Sequence, residues 1–393
     1  MDEPVYFIEG RALNAEEESY YDRPVQSAET ASLYEHCIRA IRHGFRYGAH
    51  GIPLIGTGDW NDGYDKVGAL GKGESVWLAF FLYEILGKFT AIAQNHQDPA
   101  FAAECQNQAR QLKENIDGHA WDGDRYIRAW FDDGIPLGSA TDEECKIDSI
   151  AQSWAVLSGA GDPGRAAVAM ETAYKMLVDK ETHIIRLLAP PFDKSTLNPG
   201  YIKGYVPGIR ENGGQYTHAA VWMVIAFARL GNNKRVWELL QLINPVNHGL
   251  TAGDINTYKV EPYVLAADVY AVAPHAGRGG WTWYTGSAGW LYRLIIESFL
   301  GLQQVGNQLT VVPCIPEEWN FFTIHYRFKT TLYHIAITQS TNIEKTNTVL
   351  DGLQQPGNVI ILIDDGADHQ VDIRLSKKSA AQQINKNTLT SSV

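Results

Sequence analysis

Residues 56–75, GTGDWNDGYDKVGALGKGES, gather three aspartates (Asp59, Asp62, Asp65), an asparagine, a tryptophan and six glycines. Glycine at that density opens backbone conformations closed to other residues and lets a ligand approach closely. Trp60, flanked by Asp59 and Asp62, suits a sugar: an aromatic face stacks on a pyranose while acids reach its hydroxyls or its glycosidic oxygen. A carboxyl group so placed can act as a general acid. The same residues also fit a solvated Asx-turn loop with one buried tryptophan. The choice between these readings depends on what the rest of the chain supplies.

Two further segments bear on it. YVPGIRENGGQYTHAAVW (205–222) brings Tyr205, Arg210, Glu211 and His218 together around Gly213 and Gly214. His218 opens an apolar helix, where free backbone N–H groups and the positive end of the dipole favour an anion; a histidine hydrogen-bonded in the core is the equal alternative. GRGGWTWYTGSAGW (277–290) has two glycine clusters, three tryptophans, and Thr285-Gly286 at a helix start, again a place for an oxyanion. YKVEPYVLAADVY (258–270), with Glu261 and Asp268, reads as a structural helix starting at Pro262.

One acidic loop and two anion loops suit a protonated aspartate and a phosphate on opposite faces of a sugar. An inverting hydrolase would instead need two carboxyl groups roughly 6.5–9.5 Å apart, and Glu211 is the candidate for its base. Phosphate is already partly dianionic near neutral pH and needs no protein base.

The elements that must position these loops are mainly helical. Apolar periodicity predicts helices over 32–47, 74–95 (capped by Ser75), 99–116 (capped by Asp98 before Pro99), 147–160, 163–179, 215–230, 233–243, 262–272 and 284–300. Residues 121–135 read as a short hairpin, and 187–213 as a long loop of the kind that carries function. Beyond Gly301 alternation replaces helical spacing, which predicts a small antiparallel β-domain over 302–376. The domain reading is thus an irregular segment 1–30, a helical catalytic region 31–301, the β-domain, and a disordered polar tail 377–393.

The 393 residues carry a net charge of -12, which argues against nucleic acid and anionic membrane surfaces. Eleven Trp and 19 Tyr suit sugar binding. The four cysteines (Cys37, Cys105, Cys145, Cys314) are scattered with no C-x-x-C pair, so reduced thiols are expected rather than disulfides or a metal site. MDEPVYFIEG lacks a signal peptide's features, and no uncharged apolar run approaches a membrane span; a cytoplasmic location is expected.

GTGDWNDGYDKVGALGKGESVWLAFFL, GYVPGIRENGGQYTHAAVW and VAPHAGRGGWTWYTGSAGWLYR closely resemble the glycoside hydrolase family 94 phosphorylases. DEECKIDSIAQSWAVLSGAGDP and APPFDKSTLNPGYIKGY resemble the C-terminal region of cyclic β-1,2-glucan synthases. The resemblance covers residues 6–375. It implies an (α/α)6 barrel followed by a β-domain, and inverting phosphorolysis of β-glucosides, here β-1,2-glucan oligosaccharides, to α-glucose 1-phosphate. It implies Asp62 as general acid, Trp60 and Asp59 at the sugar, and Tyr205, Arg210 and Glu211 at the acceptor. His218, Thr285 and Gly286 would hold inorganic phosphate, a co-substrate, with no cofactor or metal; a homodimer is compatible with it.

Two departures stand out. The family's D-G-M-N is Asp62-Gly63-Tyr64-Asp65 here. Family members also carry a β-sandwich and further barrel helices ahead of this region. The resemblance therefore implies either the C-terminal part of a longer protein or a shortened homologue with an incomplete barrel. An inverting hydrolase and a non-catalytic glucan-binding module are the competing readings.

Overall fold

The computed structural model describes residues 1–14, 17, 20–343 and 345–377. Its helices are α1 (Leu33–His43), α2 (Val76–Asn95), α3 (Pro99–His119), α4 (Ser149–Leu157), α5 (Pro163–Leu177), α6 (Thr217–Arg229), α7 (Asn233–Ile243), α8 (Ala252–Tyr258) and α9 (Thr285–Arg293). A π-helical turn, Leu294–Phe299, continues α9. Side chains close the orphan N–H groups at most helix starts: Ser75 accepts from Leu78, Asp98 from Phe101, Asp148 from Ile150, Asp162 from Arg165 and Asn232 from Arg235.

Helices α2, α4, α6 and α9 stand in a row, each against the next, and α3, α5 and α7 back the first three. The front-row helices α4 and α6 are buried nearly all round: every residue of α6 from Thr217 to Phe227 is buried except His218. Among the described residues α2 alone is long and apolar enough to cross a membrane, and it packs on α3 and α4.

Three expectations change. The N-terminal segment is not irregular throughout: Pro4–Glu9 pairs antiparallel with Val25–Ser32, and the second strand leads into α1. No helix covers 262–272. The helix of that region is the earlier α8, whose Thr251 and Asp254 form a capping box, and Asp268–Val269 pairs instead with Gln215–Tyr216. The C-terminal region does form two sheets, but the larger is mixed. Its order is Phe321–Phe328, Thr331–Ser340, Asp368–Ser376, Asn347–Leu350, Leu353–Gln354, and Thr331–Ser340 runs parallel to Asp368–Ser376. The intervening chain is long enough for the crossover that a parallel pair needs. The second sheet is Leu302–Val305, Gln308–Val311 and Val359–Ile361. Leu309, Val311, Tyr333, Ile335, Val371 and Ile373 belong to the apolar core these strands share. The expected disordered tail lies outside the described residues apart from Lys377.

Candidate active site

The acidic loop is built from its base up. A small apolar cluster that includes Ile55, Tyr64, Val67, Phe131, Cys145, Phe192 and Ile202 lies beneath it. The Asp132 carboxylate accepts from the N–H groups of Leu70, Lys72 and Gly73. Burial opposes its charge, but the three donors outweigh burial and hold its pKa below the usual carboxylate range. Gly58, at φ 127°, is required where the loop doubles back: a Cβ there would lie 3.0 Å from the Asp62 Cα.

Beneath the loop lies an ion cluster. Arg128 is fully buried and donates to both carboxylate oxygens of Asp59, at 2.6 and 2.7 Å. Its Nε lies 3.3 Å from Asp148 Oδ2 without the alignment of a hydrogen bond. Ser75, the cap of α2, donates to Asp59 at 2.5 Å, and Asp148 is the cap of α4. Burial works against the Arg128 charge, but Asp59 and Asp148 outweigh it and raise its pKa above the ordinary guanidinium value. The Asp59 side chain is wholly buried in these bonds. Its expected place at the sugar is therefore corrected: it anchors the loop.

Asp62 is exposed at the start of the turn Asp62–Tyr64, where Asn61 Oδ1 accepts from the Gly63 N–H. The residues that depart from the family pattern face away from it. Tyr64 is buried, donates to Asp148 Oδ2 at 3.2 Å and lies under the Arg128 guanidinium. Asp65 accepts from the Tyr201 N–H at 2.8 Å, so it joins the acidic loop to the long loop 187–213. That long loop is held by Glu144, which accepts from Lys194 and Ser195. Burial opposes the Glu144 charge, but the Ser195 and Lys194 donors outweigh it and hold the carboxyl at about 2.

The acceptor candidates converge. The Arg210 guanidinium lies 5.2 Å from the Tyr205 ring and its Nε donates to Glu211 at 3.2 Å. Burial raises the phenols of Tyr201, Tyr205 and Tyr216, the last to about 12, and the charges of Asp62 and Glu211 add to the rise in all three. Asp62, Glu211 and these tyrosines thus share one neighbourhood.

His218 is enclosed by aromatic rings: Trp222 at 4.2 Å, Trp60 at 5.4 Å and Trp290 at 5.7 Å. Burial pushes its pKa down to about 4, so it is neutral at pH 7. Its buried Nε2 has no partner among the described residues, a donor or acceptor suited to a substrate group. Trp290 belongs to α9, which opens at Thr285 and Gly286, both exposed. Helix α6 packs on α9, with His218 and Trp222 of α6 against Trp290 of α9.

Asp268, read as part of a structural helix, is instead a buried carboxylate. Its Oδ1 accepts from the Trp281 N–H at 3.1 Å, and burial raises its pKa. Sequence reasoning also missed Arg128, Asp148 and Tyr201. For Arg128 a signal existed: in RYIRAW it is a charge at a position where alternation calls for an apolar side chain.

Solved structures share this architecture. A sialidase superposes over 75% of this chain and 26% of its own with a TM-score of 0.54, and a GH78 family rhamnosidase of Bacillus sp. GL1 over 88% and 32% with a TM-score of 0.50. At 12% and 13% identity they speak to fold alone. The model of the glycosyl hydrolase 94 superfamily catalytic domain matches residues 5–301, and the chain belongs to that superfamily. It is 46% identical over 342 residues to the cyclic beta-(1,2)-glucan synthase NdvB of Rhizobium meliloti, covering 87% of this chain and 12% of that protein. It is 30% identical to the solabiose phosphorylase of Paenibacillus borealis (89% and 46% covered) and 29% identical to the 1,2-beta-oligoglucan phosphorylase of Listeria innocua (37% and 14%). The chain therefore spans less than half the length of each of these relatives.

Proposed function

We propose that this chain carries the acid and phosphate sides of an inverting phosphorolysis of β-glucosides, with β-1,2-linked glucan oligosaccharides as substrate. Asp62 donates its proton to the glycosidic oxygen as the C–O bond breaks. A phosphate oxygen attacks the anomeric carbon from the opposite face, giving α-glucose 1-phosphate and a glucan one unit shorter. Neutral His218, with the free N–H groups and hydroxyl at Thr285 and Gly286, receives the phosphate; Trp60 lines the sugar, and Tyr205, Arg210 and Glu211 meet the acceptor. The helical rows are then part of an (α/α)6-type toroid in a cytoplasmic enzyme.

The observation that carries this reading is the pairing of exposed Asp62 with the partnerless Nε2 of neutral His218, joined through Trp60, which packs on His218. The hydrolase alternative is less well served, because its candidate base, Glu211, is buried and bonded to Arg210. The test is incubation with β-1,2-linked oligosaccharides with and without phosphate. Phosphate-dependent release of α-glucose 1-phosphate is expected. Release of free glucose without phosphate would establish the hydrolase, and saccharide binding with no turnover the binding module.

A further inference from the structure

His369, buried in the larger C-terminal sheet, has a carboxylate at each ring nitrogen: Asp351 Oδ2 lies 2.6 Å from Nδ1 and Asp365 Oδ1 lies 3.3 Å from Nε2. Ionised carboxylates only accept, and a neutral imidazole has one N–H and one lone pair. Both contacts are therefore hydrogen bonds only when the ring is an imidazolium. A neutral ring keeps its proton in the shorter Asp351 contact, which turns the Nε2 lone pair on the Asp365 carboxylate. The other groups packed around the ring do not offset this. Tyr333 stacks on it at 4.9 Å, and the Tyr333 hydroxyl is engaged by the Ile363 backbone. Asp364 adds a third carboxylate, with Lys329 at 3.9 Å and Thr330 as its partners. Asp368, the preceding residue of the strand, is on the opposite face, with His334 at 3.5 Å. Asp351, Asp364 and Asp365 thus share one lysine and the His369 proton.

Asp365 lies in 362–367, the stretch that joins Val359–Ile361 of the second sheet to Asp368–Ser376 of the larger one. Thr331 accepts from the Asp365 and Gly366 N–H groups, both at 2.9 Å, and these uncharged bonds do not change with pH. We propose that His369 is a proton-operated latch on the joint between the two C-terminal sheets. As an imidazolium it ties 362–367 to the turn at Asp351; on losing its proton it releases Asp365, and the joint loosens while the strands stay paired. The Asp351 bond outweighs burial and holds the His369 pKa above the ordinary histidine value. The tie is therefore complete below about pH 6.5 and is lost as pH rises through the raised value. The latch lies outside the helical region and is independent of the phosphorolysis reading.

The test is amide hydrogen exchange of the full chain at about pH 6 and about pH 9, read by mass spectrometry and corrected for the intrinsic rate. Raising the pH should lower the protection of 362–367 in wild type about tenfold, the order expected for one hydrogen bond to a charged group, while α4 keeps its protection. His369→Gln removes the titrating group, so its protection should be the same at both pH values. Asp365→Asn gives the neutral ring an amide N–H to accept, so the loop should stay tied at both; this variant serves if His369→Gln does not fold. Wild-type protection of 362–367 that is equal or greater at the higher pH overturns the latch. A pH-dependent loss that persists in either folded variant overturns it as well.

Discussion

At the scale of single residues, the two carboxylates of D-W-N-D have opposite fates. Asp59 is buried against Arg128, while Asp62 is exposed two residues past Trp60. Asp62→Asn keeps the shape and removes the proton, so phosphorolysis in a chain that shows it should fall roughly 10²- to 10⁴-fold; undiminished turnover would remove Asp62 from the mechanism. His218 leads to a prediction about stability. Its folded pKa of about 4 lies below the ordinary histidine value, so between the two the unfolded chain holds a proton that the folded chain lacks. The stability tied to neutral His218 is therefore complete above about pH 6.5 and is lost as pH falls towards 4. In urea titrations wild type should lose about 2 kcal/mol more than His218→Asn between pH 7 and pH 5. Equal losses would mean that His218 is not held neutral.

At the scale of elements, the Arg128 cluster holds the acidic loop to the starts of α2 and α4 through Ser75 and Asp148. Arg128→Leu leaves two buried carboxylates without their cation and should cost about 3–5 kcal/mol. Adding Asp59→Asn to that variant should recover part of the loss in the same unfolding assay, and no recovery would show that the charge pair is not the source. This cluster was largely illegible in the sequence. Asp59, Arg128 and Asp148 are far apart along the chain, and local periodicity carries no record of a pairing made by folding. The helices were legible because their signals are local: Ser75 and Asp98 before Pro99 each mark a start that the structure keeps. The helix expected over 262–272 failed because the partner of Asp268–Val269 is Gln215–Tyr216, a long-range pairing that overrides local propensity. The hairpin before α1 was missed because both strands are mostly exposed and show no clear apolar alternation.

At the scale of the whole molecule, the helical rows and the C-terminal sheets meet at a defined seam. Trp237 of α7 stacks on Phe299 at 5.6 Å, and Trp319 packs edge-on against both at 5.4 Å. Beside them Asn233, also of α7, donates to the Ile315 carbonyl, and the Cys314 thiol donates to Asn233. These side chains belong to the helical core; Trp319 reaches the sheet core through Phe322, which packs against both, so the seam decides whether the parts unfold together. Trp319 is half-buried, and Trp319→Ala removes the ring common to both contacts at a cost of roughly 2–4 kcal/mol. Because that loss falls on the coupling between the cores, calorimetry should resolve one wild-type transition into two in the variant, with the C-terminal sheets melting first. A single transition shifted as a whole would mean that the cores remain coupled through the backbone run from Phe299 to Gly301. The acid loop and His218 lie on the helical side, so saccharide affinity should then change little while thermal stability falls.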